Sequence, residues 1–251
     1  MKKYTLTLIL ALASLGLYAQ TNRNKTIINA ALHGWEYEIK AGVNLGGTAP
    51  LPFPEEIRSI DGYNPTLSIT IEGNMTKWLD TKKKWGIITG LRLENKGMRT
   101  KATVKNYNME IIGYDGNRLK GNWTGGVRTK VQNSYITIPV LAAYKLSPRT
   151  TLKLGPYFSY LMDGDFSGHV YEGYLRETNP TGDKINFTNG AIATYDFSGD
   201  LRKFQWGVQA GVDWKAFKHL KVHADLNWGL NDIFNKDFKT VTFDMYAIYL
   251  N

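Results

Sequence analysis

Residues 204–215 read FQWGVQAGVDWK, and apolar and polar side chains alternate through the whole stretch. The even positions carry Phe, Trp, Val, Ala, Val and Trp, and the odd positions carry Gln, Gly, Gln, Gly, Asp and Lys. Successive side chains of a β-strand point to opposite faces, so this period of two predicts a strand with one apolar and one polar face. Its length suits a tilted crossing of a bilayer, for which about ten residues suffice.

The same alternation recurs in seven other stretches of the chain. They are residues 37–45, 67–75, 85–94, 135–146, 152–160, 220–228 and 241–249. The connections between these runs alternate in length. The long ones are residues 46–64, 98–133 and 163–203, with a medium one at 231–239, and the short ones lie at 80–84, 147–149 and 218–219. Long connections therefore gather at one end of the strands, as in outer-membrane barrels with short periplasmic turns and long extracellular loops.

The predicted fold class is all-β, a transmembrane up-and-down antiparallel β-barrel of about eight strands. The alternative is a soluble β-sandwich or lipocalin-like barrel, whose apolar faces point inward and whose long loops need not fall on every second connection. Aromatic residues near the ends of the runs, such as Trp85, Trp214 and Trp228, favour the membrane barrel because they match two interfacial girdles. Pro156 lies inside a run and cannot donate to a strand ladder, so we expect a bulge or a strained pairing there.

The N-terminus has the three parts of a secretory signal peptide. Lys2 and Lys3 precede an apolar stretch that ends at Leu17 and is too short to span a bilayer as a helix, and the small residue Ala19 follows. We expect cleavage after Ala19. The predicted organisation is a signal peptide over residues 1–19, a short periplasmic segment over 20–34 and an outer-membrane β-barrel domain over 35–251. Because the chain contains no cysteine, disulfides, thiolate metal sites and a lipid-modified N-terminal cysteine are excluded.

Six short segments, spread in order over most of the chain, carry a family resemblance. They are AGVNL at 41–45, GLRLENKG at 90–97, YITIP at 135–139, GPYFSYL at 155–161, WGVQAGV at 206–212 and NWGLNDI at 227–233. Together they resemble the PorT-like outer-membrane β-barrel family of Bacteroidota. The resemblance implies a barrel in the cell outer membrane, and one family member is associated with type IX protein secretion. Leu250 and Asn251 depart from the pattern, because outer-membrane barrels usually end in an aromatic residue.

The sequence offers little for catalysis or metal binding. His219 and His223 are four positions apart, which on a strand separates them by about 13 Å, too far to share one metal ion. The segment DGDFSG at 163–168 resembles the opening of a calcium loop, but Tyr174 replaces the required glutamate, so we interpret it as a polar exit into a surface loop. No G-x-S-x-G motif is present. We therefore predict a non-enzymatic protein with no catalytic, cofactor-binding or metal-binding residues and no cofactor.

Charged residues of both signs fall on the predicted inward faces of the strands. They are Glu36, Glu38, Lys40, Glu72, Arg92, Glu94, Lys145, Lys153, Asp213, Lys215 and Asp225. An eight-stranded barrel is only wide enough for its side chains to fill the lumen, so we expect a plug of paired charges. A charged channel is the alternative.

The formal net charge of +9 and the long loops bear on the partners. Export and scattered lysines argue against nucleic acid and favour outer-membrane lipid and lipopolysaccharide. The loops at 98–133 and 163–203 carry many aromatic residues. They include Tyr107, Tyr114, Trp123, Tyr171, Tyr174, Phe187 and Tyr195. These residues either bind a protein or glycan ligand from an exposed position, or they stack within hairpins that extend above the membrane.

The predicted function is surface interaction or envelope assembly. The alternatives are a narrow channel or a transport or secretion accessory, and, less favoured, an outer-membrane enzyme.

Overall fold

A computed structural model of the chain describes residues 34–51, 53–113, 116–235 and 245–251. The predicted signal peptide and most of the predicted periplasmic segment lie outside the described residues. The strands are β1 (Trp35–Pro50), β2 (Ile57–Pro65), β3 (Ser68–Trp78), β4 (Trp85–Ile112), β5 (Arg118–Lys145), β6 (Thr150–Glu177), β7 (Lys184–Asp196), β8 (Phe204–Lys215), β9 (Lys221–Gly229) and β10 (Met245–Leu250). A single 3-10 turn (Ser198–Asp200) joins β7 to β8. Within the described residues, no helix has both the length and the apolar character that a membrane crossing requires.

Eight of these strands form a closed antiparallel ring. Its order is β1, β3, β4, β5, β6, β8, β9 and β10, and β10 pairs with β1 from Leu45↔Leu250 to Pro50↔Met245. All eight predicted runs correspond to strands of this ring, although residues 241–244 of the last run lie outside the described residues. The predicted fold class is therefore confirmed.

The polarity of the ring is inverted relative to a soluble barrel. Apolar side chains on its outer face are exposed, as for Ile39 at 85% and Leu154 at 58%. Polar and charged side chains face the lumen, where Arg92 and Gln209 are both 0% exposed. Because a soluble protein would cover its apolar face, this arrangement requires a hydrocarbon solvent around the barrel.

Of the two outcomes expected at Pro156, the bulge is wrong, but the pairing with β5 is interrupted there. Pro156 lies opposite Val208, and the register of β6 with β8 is unbroken from Thr150 to Tyr160. The register of β6 with β5 is also the same on both sides of the proline, from Pro139↔Tyr157 to Ala142↔Leu154. The strand thus accommodates a residue without an N–H by omitting local pairs, without adding a residue.

The lipid-facing assignment can be tested at Ala210, an exposed outward residue near the middle of β8. We expect Ala210→Arg to lower the free energy of unfolding by about 2–4 kcal/mol, because a guanidinium at mid-membrane loses its water without gaining a partner. Urea unfolding in lipid vesicles, followed by tryptophan fluorescence, measures the change. Ala210→Leu is the matched control and should be close to neutral. Equal stability of the two variants would show that Ala210 does not face lipid.

Three strands continue far beyond the membrane. Strands β4, β5 and β6 are each 28 residues long, nearly three times the roughly ten residues that one crossing takes. The predicted long loops at 98–133 and 163–203 are therefore mostly strand. Two strands that the sequence did not predict, β2 and β7, lie in the long connections and pair with these upper parts.

Candidate functional site: the lumen and the extracellular extension

Eight charged side chains fill the middle of the barrel, and we call them the lumen network. They are Lys40, Glu72, Arg92, Glu94, Lys96, Lys153, Asp213 and Asp225, all buried. Four are cationic and four are anionic, so the network carries no formal net charge. Charges in an interior of low dielectric are tolerated when each has a close partner of opposite sign.

Arg92 occupies the centre of the upper part of this network. Its guanidinium forms an ion pair with Glu72 and lies 3.9 Å from Glu94. It also donates to the side-chain oxygens of Gln209 at 2.9 Å and Asn227 at 3.5 Å. Four different strands thus supply acceptors to one buried guanidinium, whose planar set of donors suits such convergent binding.

The lower part of the network is centred on two lysines. The ammonium group of Lys153 lies 2.6 Å from Asp213 and 2.8 Å from Asp225. Lys40 lies 3.6 Å from Asp213 and 4.0 Å from Glu72, so it links the lower part to the upper one. The predicted pairing of inward charges is present. The positive and negative charges of the lumen network are equal in number and alternate in space.

Lys96 closes the network at its extracellular end. Its ammonium lies 3.1 Å from Glu94 and between 5.2 and 5.3 Å from the ring centroids of Tyr135, Tyr157 and Tyr249. Aromatic faces attract a cation at this distance. Lys96 was missing from the predicted inward residues, although it continues the alternation of Arg92 and Glu94 by one further step.

The remaining predicted inward charges lie at the rims of the barrel. Glu36 and Lys215 are exposed. Glu38 forms an ion pair with Lys221, and the Lys145 ammonium lies 4.3 Å from the centroid of the Trp78 ring. These residues lie on the same faces of their strands as the buried charges, as predicted. They are too close to the strand ends to be buried.

The upper parts of β4, β5 and β6, together with β2 and β7, form a structure that we call the extension. Strand β2 pairs with β4 from Ile57↔Val104 to Pro65↔Met98, and β7 pairs with β6 from Arg176↔Lys184 to Ser167↔Asp196. The pair Ile112↔Thr194 joins β7 to β4. The long connections of the barrel are thus a single hydrogen-bonded sheet on the extracellular side.

The extension has its own apolar core. Trp123 and Val170 are fully buried in it, and the ring centroid of Trp123 lies 5.3 Å from that of Phe187 in an edge-to-face contact. Tyr195 is also buried and stacks on Phe197. Of the two interpretations of the loop aromatics, the structure favours stacking within extended hairpins. Tyr114 lies outside the described residues.

The predicted polar exit at residues 163–168 is wrong, because this segment is part of β6. Asp163 pairs with Ser134 and Asp165 with Gln132, and the Asp165 carboxylate lies 2.6 Å from the ammonium of Lys130. Phe166, which follows Asp165, is buried in the apolar core of the extension. An extended strand holds alternate carboxylates roughly 7 Å apart on one face, unlike the curved loop of a calcium site.

The two histidines considered as metal ligands lie near the start of β9. His219 lies in the turn between β8 and β9, and His223 lies on β9. Within the described ranges, no group of three or more His, Cys, Asp or Glu side chains is placed to hold a metal ion.

A cavity of about 360 Å³ lies between the extension and the upper ends of β1 and β10. Its wall is mostly apolar and includes Phe53, Met98, Val104 and Phe166. The tyrosine hydroxyls near it already have partners. Tyr63 donates to the backbone oxygen of Gly46 at 2.6 Å, and the Tyr195 hydroxyl lies 2.6 Å from that of Thr129. The cavity therefore offers apolar contact more than hydrogen bonds, and it is within the size range of small-molecule sites.

The fold and the polarity of its faces define the class of the protein, a transmembrane β-barrel with a plugged lumen. The comparison of sequences agrees. The family described as outer membrane protein beta-barrel domain matches residues 18–235, and the chain belongs to this family. Membership places the protein in the outer membrane. None of the curated proteins compared with the chain matches it.

Proposed function

We propose that the protein is a non-enzymatic surface-interaction or envelope-assembly protein, in which the barrel is a closed anchor and the extension is the binding module. One contrast carries the proposal. The lumen network satisfies its own charges, whereas the extension has an apolar core, which continues down to Tyr135 and Tyr249 at the top of the lumen, and borders a ligand-sized cavity. A packed lumen has no route for a solute, and binding residues are commonly held on rigid scaffolds at the edge of a fold.

The proposed subfamily, source, signal peptide and partners rest on the sequence. We propose that the protein is PorT-like and comes from the Bacteroidota, on the six segments named above. A signal peptide removed after Ala19 would leave residues 20–34 as a short periplasmic segment before the barrel. The proposed partners are outer-membrane lipid and lipopolysaccharide around the barrel, and a protein or glycan ligand at the extension.

The leading alternative is a narrow channel or a transport or secretion accessory, and conductance separates it from the anchor. We expect the purified protein to give no steady unitary current in planar bilayers, because the Arg92 and Lys153 ion pairs occupy the lumen. A porin reconstituted in the same way is the positive control, and heat-modifiability on gels confirms that the inserted protein is folded. Reproducible unitary steps from the folded wild type would make transport the better proposal.

A further inference from the structure

A cluster of cations lies on the outward face of the extension. Arg99 and Lys101 belong to β4, and Arg128 and Lys130 belong to β5. Arg99 is paired with Lys130 and Lys101 with Arg128, so the four side chains form two adjacent cross-strand pairs of like charge. We call these four residues the cationic patch.

Such pairing is unfavourable for the fold alone. Like charges directly opposite each other on neighbouring strands repel, and here the repulsion occurs twice in succession. Lys130 is compensated by Asp165. Within the described residues, no carboxylate pairs with Arg99 or Arg128, although the Arg128 guanidinium lies 5.2 Å from the centroid of the Tyr171 ring. The guanidinium groups of Arg99 and Arg128 are therefore available to bind an external anion.

The surroundings of the patch form a shallow groove of about 840 Å³. The four cations line it together with Ser167, His169 and one carboxylate, Asp196. Burial and the nearby Arg128 guanidinium lower the pKa of His169, so it is neutral at pH 7 and contributes a hydrogen-bonding group without charge.

A second carboxylate, Asp61, lies at the edge of this region on β2. It accepts hydrogen bonds from Ser59 and Thr103, which lower its pKa and hold it as a carboxylate near Lys101. Lys130 is paired with Asp165 and Lys101 lies near Asp61, so Arg99 and Arg128 supply the excess positive charge of the patch.

The direction in which the cationic patch faces and its height above the membrane indicate which class of ligand can reach it. Arg99 and Lys101 have the same parity on β4 as Leu91 and Leu93, which are exposed to lipid. The cations therefore point sideways over the membrane. Arg99 lies six positions after Leu93, or about 20 Å along the strand, which at a tilt near 45° is roughly 14 Å of height. That level lies above the hydrocarbon, where the saccharides of outer-leaflet lipids are found.

We propose that the cationic patch binds phosphate groups on the saccharide of glycolipids in the outer leaflet around the barrel. Arginine binds phosphate through paired N–H donors, and lysine adds a point charge. The glycolipid neutralises the like-charge pairs and fixes the extension relative to the membrane surface. This site is separate from the cavity, and it rests on the lipopolysaccharide partner named under the proposed function.

The test uses the full-length protein in mild detergent with lipopolysaccharide, before and after enzymatic dephosphorylation, as the probes. Native mass spectrometry and a binding titration at low and high salt measure retention. We expect wild type to bind the phosphorylated form about tenfold more tightly or better, with the preference falling as salt screens the charges. A triple variant with Arg99, Lys101 and Arg128 changed to Gln should lose the preference, and Arg128→Gln alone should lose part of it.

The matched control removes three cations from the periplasmic turns, where Lys82, Lys84 and Lys218 are exposed. Changing these three to Gln should leave the preference intact, which separates a local site from an effect of net charge. Heat-modifiability shows that each variant is folded. Equal binding of the two probes by wild type, or an unchanged preference in the folded triple variant, would overturn the proposal. Inorganic phosphate that competes at equal molar concentration would overturn the glycolipid as the specific ligand.

Discussion

Changing Arg92 to Leu is expected to lower the free energy of unfolding by about 3–5 kcal/mol, because it removes the closest counter-charge of the buried Glu72 carboxylate. Arg92 is 0% exposed and forms an ion pair with Glu72, which is itself buried. Leucine also leaves the acceptors of Gln209 and Asn227 without this donor. Glu94 keeps Lys96 at 3.1 Å, whereas Glu72 keeps Lys40 at the longer distance of 4.0 Å, so Glu72 bears most of the loss.

A double-mutant cycle tests the reason for this effect. Glu72→Gln in the Arg92→Leu background removes the charge that the first change left with the more distant Lys40 alone, so the double variant should be more stable than the sum of the single changes predicts. Unfolding by urea in lipid vesicles gives the four stabilities. If Arg92→Leu lost less than about 1 kcal/mol, the lumen charges would have to be screened by water, and the closed plug would be incorrect.

The transmembrane part of the fold could be predicted from the sequence because a single physical rule governs it. Lipid on one side and a polar lumen on the other force alternation at every step, as in FQWGVQAGVDWK, and the structure places all the apolar residues of that stretch outward. The inward position of Lys40, Glu72 and Arg92 follows from the same rule. Lys96 was missed only because its strand was thought to end at residue 94.

The extension could not be predicted in the same way, because the polarity of the strands reverses at the membrane surface. On β4, Arg92 and Glu94 are polar and face inward, but Met98 and Val104, which have the same parity, are apolar and also face inward. The outward face changes from Leu93 to Arg99 over the same distance. Outside the membrane the surrounding solvent is water, so the apolar face must turn to a protein core. The alternation of apolar and polar residues therefore predicts that a strand ends at the position where the polarity of its two faces reverses.

The cationic patch could not be predicted from the sequence either, for a different reason. Arg99 and Lys130 are 31 positions apart by number, and only the register of β4 with β5 makes them direct neighbours. A shift of the register by one residue would place Arg99 opposite a residue of the other face. The scattered lysines that argued against a nucleic-acid site are, in part, brought together by this pairing.

A deletion that tests the function of the extension must remove segments from two connections of the barrel. Deleting residues 164–202 alone would strip β7 and the upper part of β6 from the hairpin of β4 and β5. The core residues Met109, Trp123 and Val131 would then lose the side chains that cover them. Residues 99–130 must therefore be deleted together with the second segment.

A double deletion that preserves the ring can be placed on paired residues. Met98 pairs with Val131, so residues 99–130 can be replaced by an Asn-Gly turn that closes a two-residue hairpin. Tyr160 pairs with Phe204, and the Leu161 amide donates to the Lys203 oxygen, so a second Asn-Gly turn can join Met162 to Arg202 in place of residues 163–201.

We expect this double-deleted chain to insert into the outer membrane and to stay heat-modifiable, because the eight ring strands and all eight residues of the lumen network remain. The same chain should lose all specific binding to any glycan or protein that binds the purified full-length protein, since the deleted segments carry the whole cationic patch and the walls that β4, β5, β6 and β7 give to the cavity. Strand β2 remains, but of its partners on β4 only Met98 is kept. Membrane fractionation and gel mobility measure the first expectation, and a glycan array probed with both proteins measures the second. A deleted chain that inserts and still binds the same glycan would place the binding site on the barrel. One that fails to insert would show that the ring depends on the extension for folding, contrary to the role of a self-sufficient anchor.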